Sequence, residues 1–282
     1  ATATLSASNM ITGSTSKINV GSGATLTVSG SFIDNTDTQQ ATQITKNGAG
    51  TLEFTGTGNA YSGATTVNAG LLSIAQGAFT NASTTITVNN SGNLTATDLG
   101  ANVSVTVNSG GTADISGTDI TVKDITSQTS STTALNFSGT SGKVTAQSIS
   151  GTGAIAFGSD LEVSALNGSG TVILTAATPT LTVSSGSFSG TLTGTASMVK
   201  KGSGTLTLSG TNTFTGPVTL TGGIVSVSDF NALGAATDSP ENLLFQGGTL
   251  KYTGSAATMA RDFTVGDGGA GFISSGTGPL VI

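Results

Sequence analysis

Short runs in which apolar residues alternate with threonine or serine extend along almost the whole chain. Two clear examples are Ala24–Val28, which reads ATLTV, and Thr205–Ser209, which reads TLTLS. A period of two is typical of a half-buried β-strand, because successive side chains point to opposite faces. In the second run this predicts that Leu206 and Leu208 face a core and that the threonines face solvent. The same pattern predicts strands at Thr51–Thr55, Thr84–Val88, Val103–Val107, Asp119–Lys123, Thr180–Ser184 and Gly223–Val227.

Two segments, residues 46–74 and 200–227, carry the same motif. They read KNGAGTLEFTGTGNAYSGATTVNAGLLSI and KKGSGTLTLSGTNTFTGPVTLTGGIVSV. Short strands separated by glycine turns and repeated in this way predict a chain that coils on itself instead of closing into a globule. The matched glycines are Gly48, Gly50, Gly63 and Gly70 in the first copy and Gly202, Gly204, Gly216 and Gly223 in the second.

A looser register repeats the end of a strand about once per coil. Asn68, Asn89 and Asn108 each follow a valine and precede a turn of small residues, at intervals of 21 and 19 residues. Coils of about 20 residues built from two or three short strands are typical of a parallel β-solenoid. We therefore predict an all-β, right-handed parallel β-helix that runs as a single continuous solenoid over residues 1–282. The best helical candidate, Phe230–Ala236, is expected to form only one short turn.

Charge and composition exclude several classes of function. The chain has a net charge of −6, only 8% charged residues, and neither histidine nor cysteine. Nucleic-acid binding is not expected, since phosphate contacts need clustered lysine and arginine. Without cysteine and histidine there is no disulfide, no thiolate or imidazole metal site and no Ser-His-Asp triad. No apolar stretch approaches the roughly 20 residues of a membrane-spanning helix.

The remaining candidates for chemistry are carboxylates. Asp114, Asp119 and Asp124 are spaced by five residues, and Asp160 and Glu162 share one face of a predicted strand. A lyase built on a parallel β-helix would use such a cluster to bind calcium, with a basic side chain as the proton acceptor. We interpret these carboxylates instead as solvated surface groups that keep the protein soluble. The sequence thus predicts no catalytic, cofactor-binding or metal-binding residues and no cofactor.

Two further features have a structural and a functional interpretation. Tyr61 and Phe214 occupy matching places in the two copies, either as core aromatic residues at a corner of the coil or as platforms for a carbohydrate; we favour the core. The segment Gly266–Gly269 resembles part of a calcium-binding repeat, but true sites repeat the full pattern several times. We interpret it as a turn.

The segments that carry the motif resemble a known family. The pattern GTLTLSGTNTFTGPVTLTGG at 204–223 resembles the autotransporter-associated β-strand repeat of bacterial surface proteins, and the block at 46–74 is a second match. The stretch at 233–254 is similar to the one that commonly follows such a repeat. The resemblance implies a β-helical passenger at the bacterial cell surface or beyond it, with no catalytic residues to carry over.

From these observations we predict a non-catalytic extracellular structural protein, a β-solenoid rod that builds a bacterial surface fibre, stalk or adhesive passenger. The main alternative is a self-assembling filament or surface-layer subunit that polymerises through open solenoid ends, which the apolar last segment Leu280–Ile282 favours. A glycan-binding adhesin and a polysaccharide lyase rank below these. The expected partners are further copies end to end or the rest of a longer surface protein. An extracellular glycan or protein is a further possible ligand that the sequence neither requires nor excludes.

Overall fold

The computed structural model describes residues 1–6, 10–11, 15–79, 82–131, 134–137, 142–235 and 239–282. The described residues are almost entirely β-structure, with two short 3-10 helices at Phe230–Leu233 and Pro240–Asn242. The strands are β1 (Thr2–Leu5), β2 (Met10–Ile11), β3 (Thr15–Asn19), β4 (Thr25–Val28), β5 (Phe32–Ile33), β6 (Gln43–Asn47), β7 (Thr51–Phe54), β8 (Thr65–Val67), β9 (Gly70–Ile74), β10 (Thr85–Val88), β11 (Gly92–Thr97), β12 (Ser104–Val107), β13 (Thr112–Ser116), β14 (Ile120–Ser127), β15 (Leu135–Phe137), β16 (Lys143–Gly151), β17 (Ala154–Phe157), β18 (Asp160–Leu166), β19 (Thr171–Leu174), β20 (Thr180–Phe188), β21 (Thr191–Gly194), β22 (Ser197–Lys200), β23 (Thr205–Leu208), β24 (Val218–Leu220), β25 (Ile224–Val227), β26 (Leu243–Phe245), β27 (Thr249–Tyr252), β28 (Ser255–Thr258), β29 (Thr264–Val265), β30 (Gly271–Ser274) and β31 (Thr277–Val281).

The parallel strands stack as the coils of a β-solenoid, each coil having roughly 20 residues, which confirms the predicted fold class. The alternation seen in the sequence is also the alternation of burial. In β23 the side chains of Leu206 and Leu208 are fully buried, whereas Thr205 is exposed. The short turn predicted at Phe230–Ala236 is the first 3-10 helix; residues 236–238 lie outside the described residues.

The chain divides into two compact units. The first comprises Ala1–Ala146 with Gly153–Ile155, and the second comprises Gln147–Thr152 with Ala156–Ile282. A single continuous solenoid over residues 1–282 therefore stays a prediction.

Two parallel ladders run through the first unit. One joins β1, β4, β7, β9, β11, β13 and β15, and the other joins β3, β6, β8, β10, β12 and β14. Each step places a residue beside its counterpart one coil later, as where Leu26 lies beside Leu52 and Leu52 beside Leu72. Equivalent apolar side chains therefore stack in columns, which gives the coil a thin continuous core.

The second unit uses the same construction. One ladder joins β18, β20, β22, β24, β26 and β29, and another joins the far part of β20 to β23, β25, β27 and β30. The long strand β20 thus contributes to two faces of its coil. At the far end of the sequence β28 pairs with β31.

Aromatic residues fill the corners of the core. Tyr61 is 1% exposed and Phe214 is 2% exposed, so the interpretation of both as core residues is confirmed. The Tyr61 ring lies edge-on to that of Phe79, with centroids 5.7 Å apart, and Phe79 packs against Phe54 at 5.2 Å. The Tyr61 hydroxyl shares a 2.6 Å hydrogen bond with Thr65, which satisfies its one polar atom.

Candidate functional sites in the repeat

The first copy of the motif contains a lysine whose side chain points into the solenoid. Lys46 lies on β6 and has no exposed surface. Its Nζ donates hydrogen bonds to the main-chain oxygens of Asn47 at 3.0 Å, Gly48 at 2.7 Å and Ala69 at 2.9 Å. Because Ala69 lies 23 residues further along the chain, this one ammonium group joins two successive coils at the same corner.

The second copy contains the same arrangement. Lys200 on β22 is also fully buried, and its Nζ donates to the main-chain oxygens of Lys201 at 2.7 Å, Gly202 at 3.4 Å and Gly222 at 3.2 Å. The acceptors occupy the positions that match those around Lys46. We call each of these arrangements a lysine corner.

The lysine corner explains why the motif has glycine at the matching positions Gly70 and Gly223. Gly223 has φ +63°, and a Cβ atom built on it would lie 2.6 Å from Lys200 Nζ and would also overlap the carbonyl oxygen of Gly204. Its counterpart Gly70 has φ +70° and the same conflict with the oxygen of Gly50. Only glycine combines the left-handed backbone with room for the ammonium group and the turn beneath it.

The electrostatics of the two corners are alike. Burial lowers the pKa of Lys46 and of Lys200 from the ordinary value, because an ammonium group loses hydration when it leaves water. The carbonyl oxygens oppose this effect, since they accept hydrogen bonds from the charged form. The acceptors are uncharged main-chain groups, so each lysine is held by dipoles and not by an ion pair.

A second buried polar residue lies at another corner of the first copy. Asn59 is fully buried, and its Oδ1 accepts from the N–H of Phe32 at 2.9 Å. Its Nδ2 donates to the oxygens of Gly56 at 2.8 Å and Ala78 at 3.0 Å. One side chain thus joins its own coil to the coil before it and the coil after it.

Asn212 does the same in the second copy. It is 3% exposed, its Oδ1 accepts from the N–H of Leu192 at 2.7 Å, and its Nδ2 donates to the oxygen of Ala232 at 2.6 Å. The partners lie 20 residues before and 20 residues after it. We call this arrangement, in either copy, an asparagine corner.

A column of asparagines runs along the outside of the first unit. Asn68 donates to Asn47 at 3.0 Å, Asn89 donates to Asn68 at 2.8 Å, and Asn108 donates to Asn89 at 2.7 Å, each from Nδ2 to Oδ1. The predicted strand-end turns at Asn68, Asn89 and Asn108 are therefore equivalent positions of successive coils.

The carboxylates singled out in the first unit do not converge. Asp114 is exposed on β13. Asp119 accepts from the N–H of Lys143 at 2.9 Å, and Asp124 accepts from the hydroxyl of Ser104 at 3.2 Å. Each of the latter two ties its own coil to a neighbouring one, so both are engaged in structural contacts.

The carboxylates of the second unit are engaged in the same way. Asp160 accepts from the N–H of Thr180 at 2.8 Å, and Glu162 forms an ion pair with Lys201. Among the residues that the structure describes, no three acidic side chains come close enough together to hold a metal ion. The segment Gly266–Gly269 forms a turn closed by a 3.0 Å hydrogen bond from the N–H of Gly269 to the oxygen of Gly266.

The second unit also has an open cavity of about 500 Å³ beside the coil that follows the second copy. Phe230, Tyr252 and Arg261 are among its lining residues. The rings of Phe230 and Tyr252 are stacked, with centroids 4.8 Å apart and planes 19° from parallel. No local pattern in the sequence predicts this cavity, because strands β27 and β28 form its wall only once the coils have stacked.

Comparison with known proteins supports the predicted repeat and its predicted location at the cell surface or outside the cell. The passenger-associated-transport-repeat family matches residues 44–74 and 198–227, which contain both lysine corners and the central asparagine, Asn59 or Asn212, of each asparagine corner. The adhesin BmaC autotransporter of Brucella suis biovar 1 (strain 1330) is 36% identical over 141 residues, which is 44% of this chain and 4% of that protein. The chain thus spans only a small part of the length of this relative. The comparison with solved structures finds no match.

No helix in the described part of the chain has the length and apolar character needed to cross a membrane. The two repeats, the stacked parallel coils and the similarity to an autotransporter adhesin agree with one another. The chain therefore carries two passenger-associated transport repeats within a β-solenoid, and its similarity to an autotransporter adhesin supports a location outside the cell or at its surface.

Proposed function

We propose that this chain is a non-catalytic structural segment of an extracellular passenger, which builds a bacterial surface fibre, stalk or adhesive protein. The observation that carries the proposal is the use of buried polar groups. The buried polar side chains of the motif form hydrogen bonds between successive coils and do not open the core to solvent. They are Lys46 and Asn59 in one copy and Lys200 and Asn212 in the other. The motif therefore serves the stacking of coils.

A structural role follows from the physics of such stacking. Each coil is held to its neighbours by main-chain ladders, columns of apolar side chains and the two kinds of corner, so local opening must break several of these at once. The result is resistance to proteases outside the cell. Four of the five carboxylates considered for a lyase, namely Asp119, Asp124, Asp160 and Glu162, are engaged in contacts between coils, which supports the structural role.

Limited proteolysis of the purified chain tests this proposal. We expect the wild-type protein to survive a broad-specificity protease under conditions that digest a chain carrying both Lys46→Met and Asn59→Ala. A matched control carries Lys17→Met and Asn93→Ala at exposed positions of the same unit and should survive like the wild type. Rapid digestion of the wild type, or calcium-dependent cleavage of a polysaccharide by it, would overturn the proposal.

The filament alternative is favoured by one observation. Strands β30 and β31 expose apolar side chains, with Phe272 37%, Ile273 41% and Val281 56% exposed. Negative-stain electron microscopy over a concentration series tests whether other copies cover them. Fibres with a regular axial repeat would establish a polymer subunit, whereas separate particles at every concentration would favour the passenger segment.

A further inference from the structure

The open cavity in the second unit combines an aromatic wall with groups of both charges. Its volume of about 500 Å³ lies within the range of small-ligand sites. The first 3-10 helix contributes Phe230, the end of β27 contributes Tyr252, and β28 contributes the other wall.

Phe230 differs from most phenylalanines of the chain in its exposure to solvent. It is half-exposed and lines the cavity, with the buried ring of Tyr252 stacked against it. That support holds the Phe230 ring rigidly, so little side-chain entropy is lost when a ligand binds against it. The phenylalanines buried in the core are Phe32, Phe54, Phe79, Phe137, Phe157, Phe188, Phe214 and Phe245.

The polar groups of the cavity are also held in place. Asp229 is exposed, and its Oδ1 accepts from the N–H of Asn231 at 2.8 Å, which caps the 3-10 helix. Arg261 is half-buried, and its Nη2 donates to the main-chain oxygen of Gly234 at 2.7 Å. The cavity thus presents a fixed carboxylate that accepts hydrogen bonds and a fixed guanidinium that donates them.

Hydroxyl groups complete the lining. Ser228, Ser255 and Thr258 line the cavity, and each can both donate and accept a hydrogen bond. The alternation of donors and acceptors matches the adjacent hydroxyls of a sugar ring, while the C–H face of the same ring matches the electron-rich face of an aromatic side chain. The opposite charges of Asp229 and Arg261 cancel, which favours an uncharged ligand.

We propose that this cavity binds a neutral pyranose residue of an extracellular glycan. The C–H face of the sugar lies against Phe230, and its hydroxyls bond to the carboxylate of Asp229 and the guanidinium of Arg261. This site goes beyond the proposed structural role, which needs no ligand.

A glycan array probed with the purified chain, followed by titration calorimetry on the glycans that bind, tests the proposal. We expect neutral glycans to bind, and Phe230→Ala and Asp229→Asn each to weaken the affinity at least tenfold. Asparagine is a good helix cap, so Asp229→Asn removes the charge and keeps the cap. The matched controls are Phe272→Ala and Asp262→Asn, at an exposed phenylalanine and an exposed aspartate outside the cavity lining, and they should change the affinity less than twofold.

Several results would overturn the proposal. The first two are the absence of binding to any glycan and a preference for acidic sugars. The others are equal glycan affinities of Phe230→Ala and the wild type, and displacement of the glycan from the cavity residues by an unglycosylated protein. Circular dichroism melts of each variant separate a lost contact from a lost fold. Inhibition by a free monosaccharide would indicate a terminal sugar, and inhibition only by longer oligosaccharides an internal one. Loss of glycan binding with protease resistance intact would leave the structural role standing.

Discussion

Replacing Lys46 by methionine tests how much a lysine corner contributes to stability. Methionine keeps most of the length and volume of the side chain, so the variant removes the ammonium group without opening a large cavity. Three main-chain oxygens then lose the hydrogen bond from the ammonium group at one corner. The same change at Lys200 tests the second copy, and Lys201→Met is the matched control beside it.

The expected magnitude follows from the geometry. A hydrogen bond that involves a charged group contributes about 1.5–3 kcal/mol, a figure that already includes the exchange with water. The three bonds share one ammonium group and their contributions do not add, so we expect a loss of about 2–4 kcal/mol for Lys46→Met.

At Lys200 two of the three bonds are long, at 3.2 and 3.4 Å, so we expect a smaller loss of about 1–2 kcal/mol. The Lys201 side chain is 40% exposed and forms a surface ion pair, so Lys201→Met should cost less than about 1 kcal/mol.

Urea unfolding followed by far-ultraviolet circular dichroism gives the free energies of unfolding, because the chain has no tryptophan to report by fluorescence. Amide hydrogen exchange then assigns each loss to its own coil, since Lys46 and Lys200 lie in different units. The reasoning predicts the order Lys46→Met, Lys200→Met, Lys201→Met from the largest loss to the smallest. It would be refuted if Lys46→Met were as stable as the wild type or if Lys201→Met lost as much as Lys200→Met.

Three further predictions concern the first unit. Asn59→Ala removes one accepted and two donated hydrogen bonds and should cost about 3 kcal/mol in urea unfolding, against less than about 0.5 kcal/mol for the exposed Asn93→Ala. Gly70→Ala should cost more than about 3 kcal/mol because its Cβ meets main-chain atoms, whereas Gly77→Ala, with a similar φ but open space, should cost only the left-handed strain of about 1–2 kcal/mol; equal losses would contradict this. Burial raises the pKa of the Tyr61 hydroxyl, so above pH 10 the unfolded tyrosine loses its proton while the folded one keeps it. Tyr61 therefore makes stability fall as the pH rises past 10, whereas the lowered pKa values of Lys46 and Lys200 act in the opposite direction. Urea midpoints measured between pH 8 and pH 11 should fall less, or rise more, in Tyr61→Phe than in the wild type, because the variant removes the tyrosine contribution and keeps both lysines.

The strands could be predicted because their signal is local. Alternation of apolar and hydroxyl side chains is a property of a few adjacent residues, and it identified β4, β7, β10, β12 and β23 to within a residue or two. The spacing of Asn68, Asn89 and Asn108 also gave the coil length, since equivalent turns recur once per coil. The hydrogen bonds between these asparagines could not be predicted from spacing alone, because they depend on the relative height of neighbouring coils.

The lysine corners were missed although the sequence contains a signal for them. Lysine is rarely buried, so the sequence analysis carries no prediction of an inward-pointing lysine. Yet the period of two places Lys46 on the same strand face as Ile44, and Lys200 on the same face as Met198. The inward direction of both lysines was therefore implied by the rule that predicted the strands, and only the general preference of lysine for water argued against it.

The buried corners also explain how such a simple sequence selects one register. The strands β4 and β23 read TLTV and TLTL, so a slip of two residues would keep every apolar side chain inside and change the buried apolar area little. A slip of two residues between the coils of Lys46 and Ala69 would separate the ammonium group from the oxygen of Ala69 and leave this buried charge with acceptors from its own coil only. A slip of one residue would expose the leucines. Apolar alternation therefore fixes which face is inside, and the lysine and asparagine corners distinguish among the registers that alternation allows. This division of roles accounts for the presence of both corners in each copy of the motif.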